Sequence, residues 1–211
     1  SGASLGIDVD VFDPKGKSEV KNKKGELVVK KPFPTMPIKF WNDKNNKKYF
    51  NAYFNKFPNV WYHGDYIEKT FNDGYVIHGR SDTTLNPGGV RIGTAEIYRQ
   101  VEYFDEISES LVIGQKWRED IRIVLFVVTK NNIPLSKNLT DLIKKRIKTN
   151  CSPKHVPSKI ILIKEIPRTK SGKIVEIAVR KVIHGEKIEN LEAIANPWTL
   201  DFFKNINELK S

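Results

Sequence analysis

Two clusters of residues in this chain have the types and spacing to handle a phosphate-bearing ligand. The first is split between His63-Gly64-Asp65 and Gly79-Arg80-Ser81-Asp82. Between them lies Asn72-Asp73-Gly74, whose residues tolerate the positive φ of a tight turn. A strand, that turn and a returning strand over residues 61–80 bring the two ends together and predict that Asp65 lies near Arg80. A carboxylate accepts and a guanidinium donates, so the pair can grip two vicinal hydroxyls such as those of a ribose. The same pair can also be a plain surface salt bridge beside a hairpin.

The second cluster is Ile166-Pro167-Arg168-Thr169-Lys170-Ser171-Gly172-Lys173. Glycine beside lysine lets backbone approach a ligand while the ammonium reaches inward. Lysine is a compact charge with three donors, suited to negative charge growing on several oxygens at once. The bland alternative is a solvent-facing lysine in a basic loop. The loop is not a phosphate-binding Walker loop, because the earlier glycine is missing and Ile174 follows the lysine.

The elements that must position these groups are legible in outline. Ile7, Val9 and Val11 alternate with Asp8 and Asp10, the period of a half-buried strand. A second strand is expected over 25–30, a short helix over 44–56, and the hairpin over 61–80. The stretch 81–93 is polar and turn-rich, with Pro87, Gly88 and Gly89, and reads as a linker and boundary centred on Asp82. Beyond it, helices are expected over 94–104, 141–149 and 175–183, the last stopped by Gly185. The middle helix is expected to turn Leu142, Ile143 and Ile147 inward and Lys144, Lys145 and Lys148 outward. Strands are expected over 107–113, 122–128 and 159–163. The tail from Glu186 reads as loosely structured, with Leu200, Phe202 and Phe203 able to pin it. This interleaving predicts an α+β domain, a three-stranded sheet with helices packed on it.

The run GRSDTTLNPGGVRIGTAEI over 79–97 resembles the linker motif of the adenylate-forming acyl-CoA synthetases, where a Gly-Arg-x-Asp hinge precedes a Gly-x-Arg turn and a Glu-bearing helix. The Pro-x-Thr-x-Ser-Gly-Lys loop is similar to that family's other hallmark. The resemblance runs from about Leu5 to Leu209. It implies that residues 1–79 are the last, β-rich part of a large adenylation domain, 80–93 a hinge linker, and 94–211 the small mobile C-terminal domain with its tail. It further implies a carboxylate activated by ATP as an acyl-adenylate and then transferred to coenzyme A. Lys173 would bridge carboxylate and α-phosphate, Asp65 and Arg80 would hold the ATP ribose, and Asp82 would be the hinge. Gly88, Gly89 and Arg91 would serve the coenzyme A state. Lys144, Lys145 and Arg146 would meet its 3′-phosphate. Val175-Glu176 stand where most members carry an arginine, and a tail with Asn196-Pro197 and Leu200 continues past the last helix. Both departures resemble the branch acting on acetoacetate; acetate or another short acid is the alternative. Magnesium is expected with ATP, its ligands lying outside this chain.

The totals fit. With 211 residues, 39% hydrophobic and 10% aromatic, the chain has the makings of a folded rather than a disordered protein. No apolar run reaches the roughly 18 residues of a membrane helix, so no membrane partner is expected. A lone Cys151 excludes an internal disulfide framework and favours a reducing, cytoplasmic setting. A net charge of +11 favours anionic partners. Nucleic acid is ranked low, because the lysines are scattered and the aromatics fall in core patterns. The opening Ser1-Gly2, without methionine, reads as a chain cut from a longer protein with Ser1 a cloning remnant. No phosphate loop or acyl pocket is recognisable, so the chain alone is expected to be inactive.

Overall fold

The computed structural model describes residues 2–19, 21–188 and 190–211, and Ser1 lies outside them. Two compact units result, Ser1–Ser81 and Asp82–Ser211.

The first unit is an antiparallel four-stranded sheet in sequence order: β1 (Val9–Phe12), β2 (Lys24–Val29), β3 (Trp61–Lys69) and β4 (Tyr75–Arg80). Its core is small. Val28, Phe12 and Phe57 are buried together, the two phenylalanine rings edge to face at 5.5 Å. A short helix, α1 (Lys47–Tyr53), lays Tyr53 flat on buried Trp61, with centroids 3.7 Å apart. Asp73 takes the expected positive φ, 60°, in the turn joining β3 to β4.

The second unit is built on β5 (Ile107–Trp117), β6 (Asp120–Thr129) and β7 (Lys159–Leu162). β5 and β6 form an antiparallel hairpin, and β7 lies parallel to β6. A parallel neighbour requires a crossover, which α3 (Lys137–Asn150) supplies. β6 has a layer on each face, which is why its sequence is a nearly unbroken apolar run. Ile123, Leu125 and Val127 face α2 (Thr94–Val101) and α3, with Ile97, Ile143 and Ile147. Val124 and Phe126 face α4 (Glu176–Ile183) and the tail, with Val179, Leu200 and Phe203.

Two expectations need correcting. The tail is pinned by Leu200 and Phe203 as expected, 4% and 1% exposed, but it is not loose, since Pro197–Phe203 is a 3-10 helix. The Phe203 ring meets Phe126 edge to face at 5.0 Å, a contact contributing about 0.5–1.5 kcal/mol beyond simple burial. Leu142 does not face inward. The buried stripe of α3 is Leu139, Ile143 and Ile147, spaced by four, whereas Leu142 is 45% exposed. The helix also starts four residues earlier than expected, because Ser136 caps it by accepting from Leu139 N at 3.1 Å.

Candidate active-site groups

In the first unit, β3 and β4 set Asp65 directly opposite Arg80. Arg80 Nη1 stands 3.6 Å from Asp65 Oδ1 and 3.4 Å from the His63 carbonyl. His63 Nδ1 approaches Asp65 Oδ2 at 2.8 Å, so the imidazole fixes the carboxylate rather than standing apart from it. Gly64 explains the close packing. Its φ is +88°, and a Cβ there would come within 2.9 Å of Arg80 Nη2. The guanidinium therefore lies across bare backbone, exposed, beside a partly exposed carboxylate. One acceptor and one fork of donors stand side by side, the arrangement that two neighbouring hydroxyls require.

The stretch 80–93 is divided. Arg80 closes β4, and Ser81 N donates to Gly64 O at 2.9 Å, keeping both in the first unit. Residues 82–93 belong to the second unit. Leu85 and Ile92, 2% and 1% exposed, pair across an antiparallel bridge. The glycine turn they enclose is anchored by Asp120, whose oxygens accept from Gly88 N at 2.9 and 3.0 Å. That N–H, with that of Ile121, holds the Asp120 carboxyl below its ordinary pKa. A Cβ on Gly88 would sit 2.8 Å from Lys154 Nζ, while nothing lies within 4 Å of the Cβ position of Gly89. Gly89 thus leaves open space on its outer side. Arg91 Nε reaches Thr84 Oγ1 at 3.5 Å.

Lys173 is exposed at the end of a closed turn. Thr169 N donates to Lys173 O at 2.8 Å, and Lys173 N donates to Thr169 Oγ1 at 3.0 Å. Arg168 braces the turn, donating to Gly172 O at 2.7 Å and to Glu109 Oε1 at 3.0 Å. The tail holds the base. Thr169 pairs with Ile194, and Asn196 accepts from Arg168 N at 2.8 Å while donating to Ile166 O at 3.0 Å and Glu165 Oε1 at 2.6 Å.

The basic triplet on α3 does not form one patch. Lys145 is exposed, Lys144 is half-buried, and the half-buried Arg146 stacks on Tyr103 with its guanidinium 3.5 Å from the ring centroid. Successive helical residues point about 100° apart, so three in a row cannot share a face. Among the described residues, no group of three His, Cys, Asp or Glu is placed to hold a metal ion, and no helix is long and apolar enough to cross a membrane.

Several braces escaped the sequence reading. Asp120 and Glu109 look like ordinary strand-end and strand charges. Asn196 was visible only as the start of an Asn-Pro pair. Glu176 was visible as a departure from a family pattern, but its surroundings were not. Its Oε1 receives the Tyr98 hydroxyl at 2.5 Å, and Thr83 and Thr94 also bond it. Burial pushes Glu176 above its ordinary 4.5, against the pull of those hydroxyls; burial and the neighbouring Glu176 push the Tyr98 phenol well up, so it stays a donor.

The fold of the second unit is that of the C-terminal domain of adenylate-forming enzymes, and residues 103–173 match the family described as the AMP-binding enzyme C-terminal domain. The chain belongs to the adenylate-forming acyl-CoA synthetases. Within that family it is similar to proteins named acetoacetyl-CoA synthetase. It is 58% identical over 210 residues to the one from Rhizobium meliloti (strain 1021), covering 100% of this chain and 32% of that protein. To the one from Gallus gallus it is 45% identical, covering 99% of this chain and 31% of that protein. The structure of acetoacetyl-CoA synthetase from Streptomyces lividans superposes with a TM-score of 0.90 at 41% identity, covering 100% of this chain and 32% of that one. The chain thus spans about a third of the length of the curated relatives it matches.

Proposed function

We propose that this chain is the C-terminal part of an ATP-dependent ligase that activates acetoacetate and transfers it to coenzyme A. The products are acetoacetyl-CoA, AMP and diphosphate. The observation that carries this reading is the division of labour at Asp82. A hydroxyl-gripping acid–arginine pair ends the first unit, and a lysine loop with an open glycine turn lies on the second.

In the first half-reaction a carboxylate oxygen attacks the α-phosphorus and diphosphate leaves. Asp65 accepts from a ribose hydroxyl and Arg80 donates to its neighbour, fixing the nucleotide. Lys173 neutralises charge shared between the carboxylate and the α-phosphate. In the second, the coenzyme A sulfur attacks the acyl carbonyl and AMP departs. Here the Gly88-Gly89 turn admits the slender thiol arm, Arg91 supports that state, and Lys144, Lys145 and Arg146 meet the 3′-phosphate singly rather than as a cluster. Asp82 is the pivot between the two states. Residues 1–79 are the end of a large adenylation domain, 80–93 the hinge linker and 94–211 the mobile domain. Magnesium accompanies ATP, with its ligands outside this chain. The setting is cytoplasmic, with neither membrane nor nucleic acid as partner.

The test uses the longer parent protein, wild type against Lys173→Ala. Diphosphate release is followed with acetoacetate, acetate and butyrate in turn. Acetoacetate should be preferred. The variant should lose adenylation by about 10³-fold or more, the scale of removing a transition-state donor, while still converting supplied acyl-adenylate with coenzyme A. An equally active variant would overturn the role of Lys173, and a preference for acetate would reassign the substrate.

A further inference from the structure

Each flank of Asp82 is tied down inside its own unit by a carboxylate that no step above uses. On the first unit, Glu26 in β2 is wholly buried. One of its oxygens receives Lys56 Nζ at 2.6 Å and the other receives the Ser81 hydroxyl. With Ser81 N bonded to Gly64 O, this residue is held through both backbone and side chain. On the second unit, Thr83 is 9% exposed and its hydroxyl bonds Glu176. Glu176 is itself fixed by Thr94 and by Tyr98, whose oxygen also accepts from Val112 N at 3.0 Å. Arg180 Nη1, one turn along α4, donates to Asp82 O at 3.1 Å. Asp82 is exposed between a half-buried Ser81 and a buried Thr83.

We propose that Glu26 and Glu176 are positioning residues that clamp Ser81 and Thr83, each to its own unit, and so confine the turning of one unit against the other to the few backbone bonds between the Ser81 Cα and the Asp82 carbonyl. This rests on the reading of Asp82 as the pivot. The physical argument concerns chain length. A hydroxyl one bond from Cβ, bonded to a carboxylate, is a short arm whose charge-assisted bond is about twice as strong as a neutral one. With Ser81 held on one side and the Asp82 carbonyl and Thr83 side chain on the other, only ψ of Ser81 and φ and ψ of Asp82 lie between the grips. A turn spread over many bonds would deliver Lys173 and the glycine turn to scattered positions, and about 1 Å of misplacement can cost a hundredfold in rate. A turn confined to three neighbouring bonds delivers them within a narrow set of paths. Glu176 serves a second end as well. It lies three residues beyond Lys173 in the chain, so one carboxylate fixes both the pivot's flank and the exit of the lysine loop.

The experiment uses the full-length parent with a nitroxide at an exposed position of each unit, Asn51 and Lys148, on a cysteine-free background. Distance distributions are recorded with ATP and acetoacetate, then with AMP and coenzyme A. Wild type should give one narrow distance under each condition, and the two should differ. Thr83→Val keeps the side-chain shape and removes the hydroxyl, and Ser81→Ala does the same for the other clamp. Each should at least double both widths and slow overall turnover about tenfold, with melting temperatures close to wild type. Thr83→Ser should restore the narrow distribution. Widths unchanged in both Thr83→Val and Ser81→Ala would overturn the clamps while leaving the pivot standing. A single unchanging distance in wild type would instead overturn the pivot reading, and the clamps with it.

Discussion

The two units hold their functional groups by different mechanics. Asp65 and Arg80 are cross-strand partners, so their separation is set by ladder hydrogen bonds on both sides. Lys173 belongs to no ladder. Its turn is closed by Thr169 and Arg168, and the base of that turn is secured by Asn196, from a tail segment beyond the last helix. Strand pairing fixes geometry locally, and the loop borrows its geometry from residues far along the chain. On the proposed reading, a pair that grips a nucleotide gains from being rigid at all times. On the same reading, a lysine that arrives and leaves needs rigidity only within the body that carries it, which the tail provides.

Substitution of Asp65 gives the sharpest test of the strand-borne pair. Hydrogen bonds to a charged group contribute about 1.5–3 kcal/mol each. Losing such a bond to a ribose hydroxyl, along with the alignment of Arg80, should lower kcat/KM for ATP in adenylation about a hundredfold in Asp65→Ala of the parent enzyme. The effect should fall on KM for ATP more than on the melting temperature, because the ladder around residue 65 needs no side chain. Unaltered ATP kinetics would reduce the pair to a surface salt bridge and remove half of the comparison.

Asn196→Ala tests the borrowed geometry. It removes three hydrogen bonds at the base of the lysine loop, leaving Arg168 N and Ile166 O without that partner. The expected result is about a tenfold fall in kcat of adenylation at unchanged KM for ATP, the pattern of a group acting mainly in the transition state. If the variant loses stability but keeps kcat, the loop is autonomous and the tail only fills the core.

How much of this was legible follows the same division. The Asp65–Arg80 contact could be read because a turn signal fixes which residues meet across a hairpin. β6 could be read because burial on both faces leaves a continuous apolar run. The stripe on α3 was read one residue too wide at Leu142, since an apolar residue beside Ile143 gives no sign of which side of the stripe it occupies. The apolar pins of the tail, Leu200 and Phe203, were legible, but its order was not, because its partners lie elsewhere in the chain, in Phe126, Arg168 and Ile166. Glu26 and Glu176 stayed hidden for a related cause. A single charged residue in a strand or a first helical turn normally faces water, and nothing local tells that Ser81 meets Glu26 or that Thr83 and Tyr98 converge on Glu176.

The smallest effect concerns Glu176 and separates its charge from its shape. Its folded pKa lies above the ordinary 4.5, with burial the main cause. Between the unfolded and folded values the native state binds more protons than the unfolded chain, so the stability contributed by this group is full below about 4.5 and is lost as pH rises through the folded value. The slope cannot exceed one proton, about 1.4 kcal/mol per pH unit. Glu176→Gln keeps an oxygen to accept from Tyr98 and Thr83 but removes the titration. The urea midpoint of the variant should therefore gain on wild type as pH climbs from 4 to 7, with little difference at the acid end. If the Glu176→Gln gap stays flat across this range, the carboxylate is already ionised and comfortable in its hydroxyl cage, and the two units differ less in how they house a charge than the geometry indicates.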